Sequence, residues 1–162
     1  MTKELEPGAG APAFRLETDD SGQISSAKLK GKPFVLYFYP KDDTSGCTKE
    51  AIAFSQDRKK FDAMGATVIG VSKDSVSSHK KFRHKHKLGI VLASDPEIEA
   101  AQAYGAWVEK SMYGRRYMGM ERSTFLVDEK GTIRRIWRKV KVPGHAAAVL
   151  EALREIIPAR KS

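Results

Sequence analysis

The sequence predicts an α/β domain in which helices cover a mixed central sheet. Two apolar runs without alternation, residues 34–39 and 67–71, read as strands covered on both faces. Helical patterns follow both runs, so these strands pair in parallel through crossovers. A later strand pair, 124–127 and 133–137, flanks the turn Asp128-Glu129-Lys130-Gly131 and adds antiparallel pairing. With 162 residues, of which 41% are hydrophobic, the chain is expected to form one domain over 1–162 with a real core.

Taken in order, Gly8, Gly10 and Pro12 end a loose N-terminal arm. Phe14 and Leu16 point to one side of a short strand, and Ser21-Gly22 turns into another near 23–26. Pro40 stops the strand at 34–39. One long helix is predicted over 44–64, with Cys47, Ala51, Phe54 and Phe61 on a single stripe and Gly65 as its stop. After the strand at 67–71, Asp74 or Ser75 caps a helix running through His86 and ending near Gly89. Residues 90–92 form a short strand. Asp95-Pro96-Glu97 opens a short helix, with a capping carboxylate and a first-turn proline, that stops around Gly105. Residues 113–120 read as a loop able to contact a partner or a second subunit. The last helix, 144–157, places Val149, Leu150, Leu153, Ile156 and Ile157 on one face before Pro158. Thioredoxin-like architecture fits this order.

No apolar run approaches the ~20 residues that cross a bilayer. The first twelve residues are polar and carry no apolar signal core, so a cytoplasmic protein without a membrane partner is expected. Net charge is +9, from 29 basic and 20 acidic residues. The basic residues are spread along the chain, so a nucleic-acid partner is not expected. The densest run, 80–87, reads as a solvated helix face. His84 and His86 stand two apart, which does not place them on one helical face as metal ligands. His79 reads as a helix-packing residue, and Trp107 and Trp137 as partial-core or hairpin aromatics.

Cys47 is the only cysteine of the chain, so no intramolecular disulfide can form. An isolated cysteine is most simply a small buried hydrophobe. The flanks of Cys47 argue otherwise. A strand ends at Pro40, a polar turn follows, and a helix starts as the cysteine arrives. Unpaired N–H groups and the helix dipole in a first turn favour a thiolate, and such settings lower a thiol pKa from ~8.5 to roughly 3.5–7.5. Pro40 can wall one side of a small pocket, and Thr44 can turn its hydroxyl toward the sulfur. Gly46 lets the backbone approach a ligand.

Pro40-x-x-x-Thr44-x-x-Cys47 resembles the peroxiredoxin active-site motif. The string Phe38-Tyr39-Pro40-Lys41-Asp42-Asp43-Thr44-x-Gly46-Cys47-Thr48-Lys49-Glu50-Ala51 resembles the bacterioferritin comigratory protein, or peroxiredoxin Q, subgroup. The likeness spans nearly the whole chain, through Gly10-x-Pro12-x-Phe14, Gly70-Val71-Ser72-x-Asp74-Ser75 with His79, Ser94-Asp95-Pro96, Tyr104-Gly105 and Arg122-Ser123-Thr124-Phe125-Leu126-Val127-Asp128. It implies a thioredoxin-like fold with peroxiredoxin additions. It also implies a thiol peroxidase acting on hydrogen peroxide and organic hydroperoxides in antioxidant defence.

The resemblance makes Cys47 the cysteine that attacks peroxide and becomes sulfenic acid. It makes Arg122 the arginine that stabilises the thiolate and the developing charge on oxygen. Thr44 becomes the hydroxyl that binds substrate, and Pro40 the shield of the sulfenate. Glu50 is expected to orient Arg122 by a bidentate pair, and N–H groups at Gly46 and Cys47 to bind a peroxide oxygen. No metal or other cofactor is expected. Ile52 stands where many subgroup members carry a resolving cysteine, and Ser45 where they carry proline. An external thiol is therefore implied: thioredoxin, glutaredoxin with glutathione, or a similar reductant. Both monomers and homodimers occur in the subgroup. The competing reading is a basic thioredoxin-fold module that binds nucleic acid and holds an inert thiol. A disulfide oxidoreductase is excluded, because Glu50 occupies the second position of Cys-x-x-Cys.

Overall fold

The computed structural model describes residues 5–19 and 22–157. Ser21 of the first turn and the stop at Pro158 lie outside the described residues. The elements are β1 (Arg15–Thr18), β2 (Gly22–Ser25), β3 (Phe34–Phe38), α1 (Ser45–Gln56), α2 (Arg58–Ala63), β4 (Thr67–Ser72) and α3 (Val76–His86), followed by β5 (Val91–Ser94), α4 (Glu99–Ala103), β6 (Trp107–Met112), β7 (Arg115–Met120), β8 (Ser123–Val127), β9 (Ile133–Trp137) and α5 (His145–Ile156).

A 7-stranded sheet runs in the order β2-β1-β5-β4-β3-β8-β9. The β3–β4 and β4–β5 pairs are parallel, as crossovers through helices require, and the flanking pairs are antiparallel. Every residue of β3 is buried, which explains its unbroken apolar run. Its side chains alternate between two apolar clusters. Val35 and Tyr37 join Phe54, Phe61, Phe82 and Leu153 from α1, α2, α3 and α5 on one face. Phe34, Leu36 and Phe38 join Phe14 and the α4 residues Ala100 and Ala101 on the other. Helices therefore cover both faces, although unequally.

Four expectations need correction. The long helix over 44–64 is two helices broken at Asp57, whose backbone (φ −94, ψ 5) leaves the helical path. The break still lets Phe54 and Phe61 meet, with ring centroids 6.0 Å apart. Among the described residues, the end of the N-terminal arm is tied rather than loose: Gly8 N–H donates to the Ile133 carbonyl at 2.7 Å and Ala11 N–H to that of Gly131 at 2.8 Å. Asp95 and Pro96 precede α4 instead of opening it. The buried Asp95 carboxylate nevertheless accepts the Ala100 and Ala101 N–H groups at 3.3 and 2.9 Å. Residues 113–120 are no loop: β6 and β7 form an antiparallel hairpin of their own.

Ser75 caps α3, its hydroxyl accepting the Ser78 N–H at 3.1 Å. The basic run 80–87 is only partly a solvated face. Phe82 is buried in the core, and Arg83 pairs with Asp19 while donating to the Leu88 and Ile90 carbonyls.

Candidate active site

Antiparallel pairing of β3 with β8 sets Phe38 opposite Ser123. The ends of these strands, Tyr39-Pro40 and Arg122, therefore lie side by side. The loop leaving β3 leads directly into α1, with Thr44 as N-cap and Cys47 in the first turn. Sequence separation of 75 residues is closed by this register, and Arg122 Nη2 donates to Cys47 Sγ at 3.3 Å. Cys47 is 2% exposed.

The other arm of the guanidinium, Nη1, donates to Glu50 Oε1 at 2.7 Å. The expected bidentate pair on Glu50 is therefore not what forms. The arginine fork is split between carboxylate and sulfur. Glu50 is buried, and its second oxygen, Oε2, has no hydrogen-bond partner among the described residues. Burial pushes the Glu50 carboxyl up to about 7, against the opposing pull of Arg122. For Arg122, burial disfavours the charge, but Glu50 and Cys47 outweigh it and raise the guanidinium above its ordinary value.

Gly46 has its own reason. A Cβ there would stand 3.2 Å from Arg122 Nη2, so the missing side chain makes room for the guanidinium. Thr44 is exposed and its hydroxyl donates to the Lys41 carbonyl at 2.8 Å. What it can offer a ligand is therefore its oxygen lone pairs. Pro40 is exposed just beyond the end of β3. The structure thus joins Cys47, Arg122 and Glu50 by hydrogen bonds, sets Gly46 where its missing side chain leaves room for the guanidinium, and places Thr44 and Pro40 on the loop leading to them.

Two buried groups escaped the sequence reading. Asp42, in the same loop, accepts the Tyr39 hydroxyl at 2.5 Å and the Ser78 hydroxyl at 2.8 Å. His79 Nδ1 lies 2.7 Å from Asp42 Oδ2, and its Nε2 lies 3.0 Å from the Ala93 carbonyl oxygen. His79 does pack a helix, as read from sequence, but it also ties the loop before Cys47 to α3 and β5. The second group is His145, at the start of α5, whose Nε2 is 2.7 Å from the Thr124 hydroxyl. Burial, with Arg122 adding to it, lowers this imidazole to about 4. The signal for both was a histidine facing a buried strand, which sequence alone does not distinguish from apolar packing.

The cleft between residues 31–33 and 64–67 and the one lined by residues 13–16 and 25–28 do not include Cys47. A substrate whose reacting part is two oxygens needs no such volume. What the site offers is a buried sulfur, a cation donating to it, and a helix first turn with unpaired N–H groups. This can favour attack on a weak bond between electronegative atoms.

A model described as the AhpC/TSA family matches residues 7–136. The peroxiredoxin Bcp of Bacillus subtilis is 44% identical over 152 residues, covering 94% of this chain and 97% of that one. The peroxiredoxin Bcp of Xanthomonas campestris pv. campestris is 48% identical over 146 residues, covering 89% and 91%. Among solved structures, a PrxQ of Xylella fastidiosa superposes with TM-score 0.89 at 36% identity, covering 95% of this chain and 98% of its own. A Xanthomonas campestris bacterioferritin comigratory protein, solved in trapped-intermediate and ligand complexes bearing on its alkyl peroxide reduction activity, gives 0.86 at 41% identity over 90% and 92%.

Proposed function

The chain belongs to the AhpC/TSA family, as a peroxiredoxin of the Bcp and peroxiredoxin Q group, and we propose that its peroxidase cycle runs through Cys47 with Arg122, Glu50, Gly46, Thr44 and Pro40 around it. It is a thiol-dependent peroxidase with a thioredoxin-like fold, using a peroxide as oxidant and a thiol as reductant. The basic binding module is not favoured.

The Cys47 thiolate attacks one oxygen of the peroxide. The O–O bond breaks, an S–O bond forms, and the second oxygen leaves with its electron pair and takes up a proton as water or alcohol. Sulfur is oxidised by two electrons to the sulfenic acid. Arg122 Nη2, aimed at Sγ, stabilises charge on sulfur and then on the oxygens. Glu50 fixes the guanidinium from behind. The Gly46 and Cys47 N–H groups and the Thr44 oxygen hold the substrate, and Pro40 shields the product.

The sequence has one cysteine, so a thiol from another molecule attacks the sulfenic sulfur and releases water. A second thiol then cleaves the mixed disulfide and restores Cys47. Thioredoxin, glutaredoxin with glutathione and similar thiols suit this step. A reducing compartment such as the cytoplasm supplies them. No helix among the described residues is long and apolar enough to cross a membrane. We assign the cycle to one domain over residues 1–162, working as a monomer or homodimer.

The observation that carries this reading is the Arg122 fork shared by Cys47 and Glu50. Mass spectrometry of peroxide-treated protein tests it. One added oxygen on Cys47, or a mixed disulfide there when thiol is present, is expected. Peroxide consumption that persists in Cys47→Ser would overturn it.

A further inference from the structure

The exposed large apolar side chains among the described residues are Met112, Tyr113, Tyr117 and Met118, and all four stand on the β6–β7 hairpin. Tyr113, at the turn, is 98% exposed. Such a cluster on one projecting element marks an interaction surface rather than scattered surface apolarity.

The register decides which residues share a face. Lys110 opposes Tyr117 and Met112 opposes Arg115, so these four stand together on one face. Lys110 also packs along the ribbon, since a Cβ at Gly119 would meet its Cδ at 3.3 Å and the Tyr117 ring at 3.4 Å. Glu109 falls on the opposite face, where it approaches Arg116 at 3.7 Å. Lys110 and Arg115 therefore flank a tyrosine and a methionine without an acidic partner on their own face of the hairpin.

The hairpin also has a fixed relation to the sulfur. β7 ends at the buried Met120, and Arg122, which donates to Cys47 Sγ, follows two residues later. The base of the hairpin is therefore tethered two residues from the arginine of the site, with Tyr117 five and Arg115 seven residues before it.

Resting on the peroxidase reading above, we propose that this hairpin face docks a protein thiol reductant whose own docking surface is acidic around an apolar centre. The two cations steer such a partner by charge, and Tyr117 and Met112 supply the desolvated contact. Methionine is an adaptable apolar surface, for which a phosphate backbone has no use, so the face suits a protein better than a nucleic acid. A two-fold pairing of hairpins would set Lys110 and Arg115 against their own copies on a chain of net charge +9. That arrangement disfavours a second copy as the occupant.

The test uses two reductants on Cys47 sulfenic acid formed by hydrogen peroxide. One is a thioredoxin of net negative charge, and the other is dithiothreitol, small and uncharged. The variants are Lys110→Glu with Arg115→Glu, and separately Met112→Ser with Tyr117→Ser; Met112, Arg115 and Tyr117 are exposed and Lys110 is half-buried. Stopped-flow reduction by the acidic thioredoxin should slow by about tenfold or more in the charge-reversed protein. In the unaltered protein that rate should fall as salt rises. Reduction by dithiothreitol and the peroxide step should stay unchanged within about twofold. Equal thioredoxin rates in both proteins, no salt dependence, or an equal loss with dithiothreitol would overturn the proposal. So would sedimentation showing that the apolar variant splits a dimer, or titration with single-stranded DNA showing binding abolished by the charge variant. An unaltered protein that consumes peroxide with dithiothreitol but not with the thioredoxin defeats this inference alone. One that forms no sulfenic acid defeats the peroxidase reading as well.

Discussion

Arg122 Nη2 stands 3.3 Å from Cys47 Sγ while its Nη1 holds Glu50 Oε1 at 2.7 Å, so one planar cation spans the reacting atom and its own anchor. A lysine carries the same charge as a single point and cannot span both. Arg122→Lys is therefore expected to slow sulfenic acid formation by about 10²-fold, in the range seen when an aimed donor is removed. Stopped-flow peroxide kinetics with excess reductant measure this. A loss below about threefold would show that charge alone, without the fork, does the work.

Glu50 and His145 are perturbed in opposite senses near the same guanidinium. Glu50 is raised from 4.5 to about 7, so the folded state holds its proton more tightly than the unfolded chain does. Its contribution to stability is full below pH 4.5 and is lost as pH rises through 7, about 2 to 3 kcal/mol between pH 5 and 8. His145 is lowered from 6.5 to about 4, so its contribution is full above 6.5 and is lost as pH falls through 4. Between pH 5 and 6.5 the two slopes oppose each other and flatten the profile. Glu50→Gln should make stability rise with pH in that window, and His145→Asn should make it fall. Urea unfolding at several pH values reads both. Parallel profiles for both variants and the unaltered protein would refute the assignment.

These buried groups also show what was legible in the sequence. The strands of the sheet were readable because burial on both faces leaves an apolar run, as in β3 and β4. Cys47, with Pro40, Thr44 and Gly46, was readable because a site built at a strand end and helix start is contiguous in the chain. Arg122 was not readable from its neighbours, since only the β3–β8 register brings it to the sulfur, and it was reached through the family likeness. The β6–β7 hairpin was missed for a local reason. Its turn is Tyr113-Gly114, with φ of 52 and 78, which lacks the Asn-Gly or Asp-Gly signal. Its exposed strands also lack the apolar alternation of a half-buried pair. The break at Asp57 was hidden because Phe54 and Phe61 keep a helical spacing across it.

The Asp42–His79 contact is expected to hold the loop that precedes Cys47. Asp42 is buried and also receives Tyr39 and Ser78, so removing the imidazole leaves a buried carboxylate short of one partner. His79→Ala should destabilise the protein by about 3 kcal/mol. The effect should be uneven: hydrogen exchange at residues 41–46 should accelerate more than in β3 or β4. Alkylation of Cys47, which is 2% exposed in the closed loop, should accelerate with it. Uniform loss of protection across the sheet would show a general core defect instead.

Gly46→Ala separates the site from the fold most cleanly. Alanine is a better helix former than glycine by about 0.8–1 kcal/mol in a helix interior, so stability should hold or rise slightly. The new Cβ, however, would stand 3.2 Å from Arg122 Nη2. The guanidinium cannot retreat freely because Glu50 holds its other arm at 2.7 Å. It must tilt away from the sulfur, and the 3.3 Å contact to Sγ lengthens. Peroxide attack should slow by about tenfold while the unfolding midpoint stays put or rises, since small misplacements of an aimed group are felt strongly in rate. A variant as fast as the unaltered protein would mean that Arg122 acts at longer range than this contact.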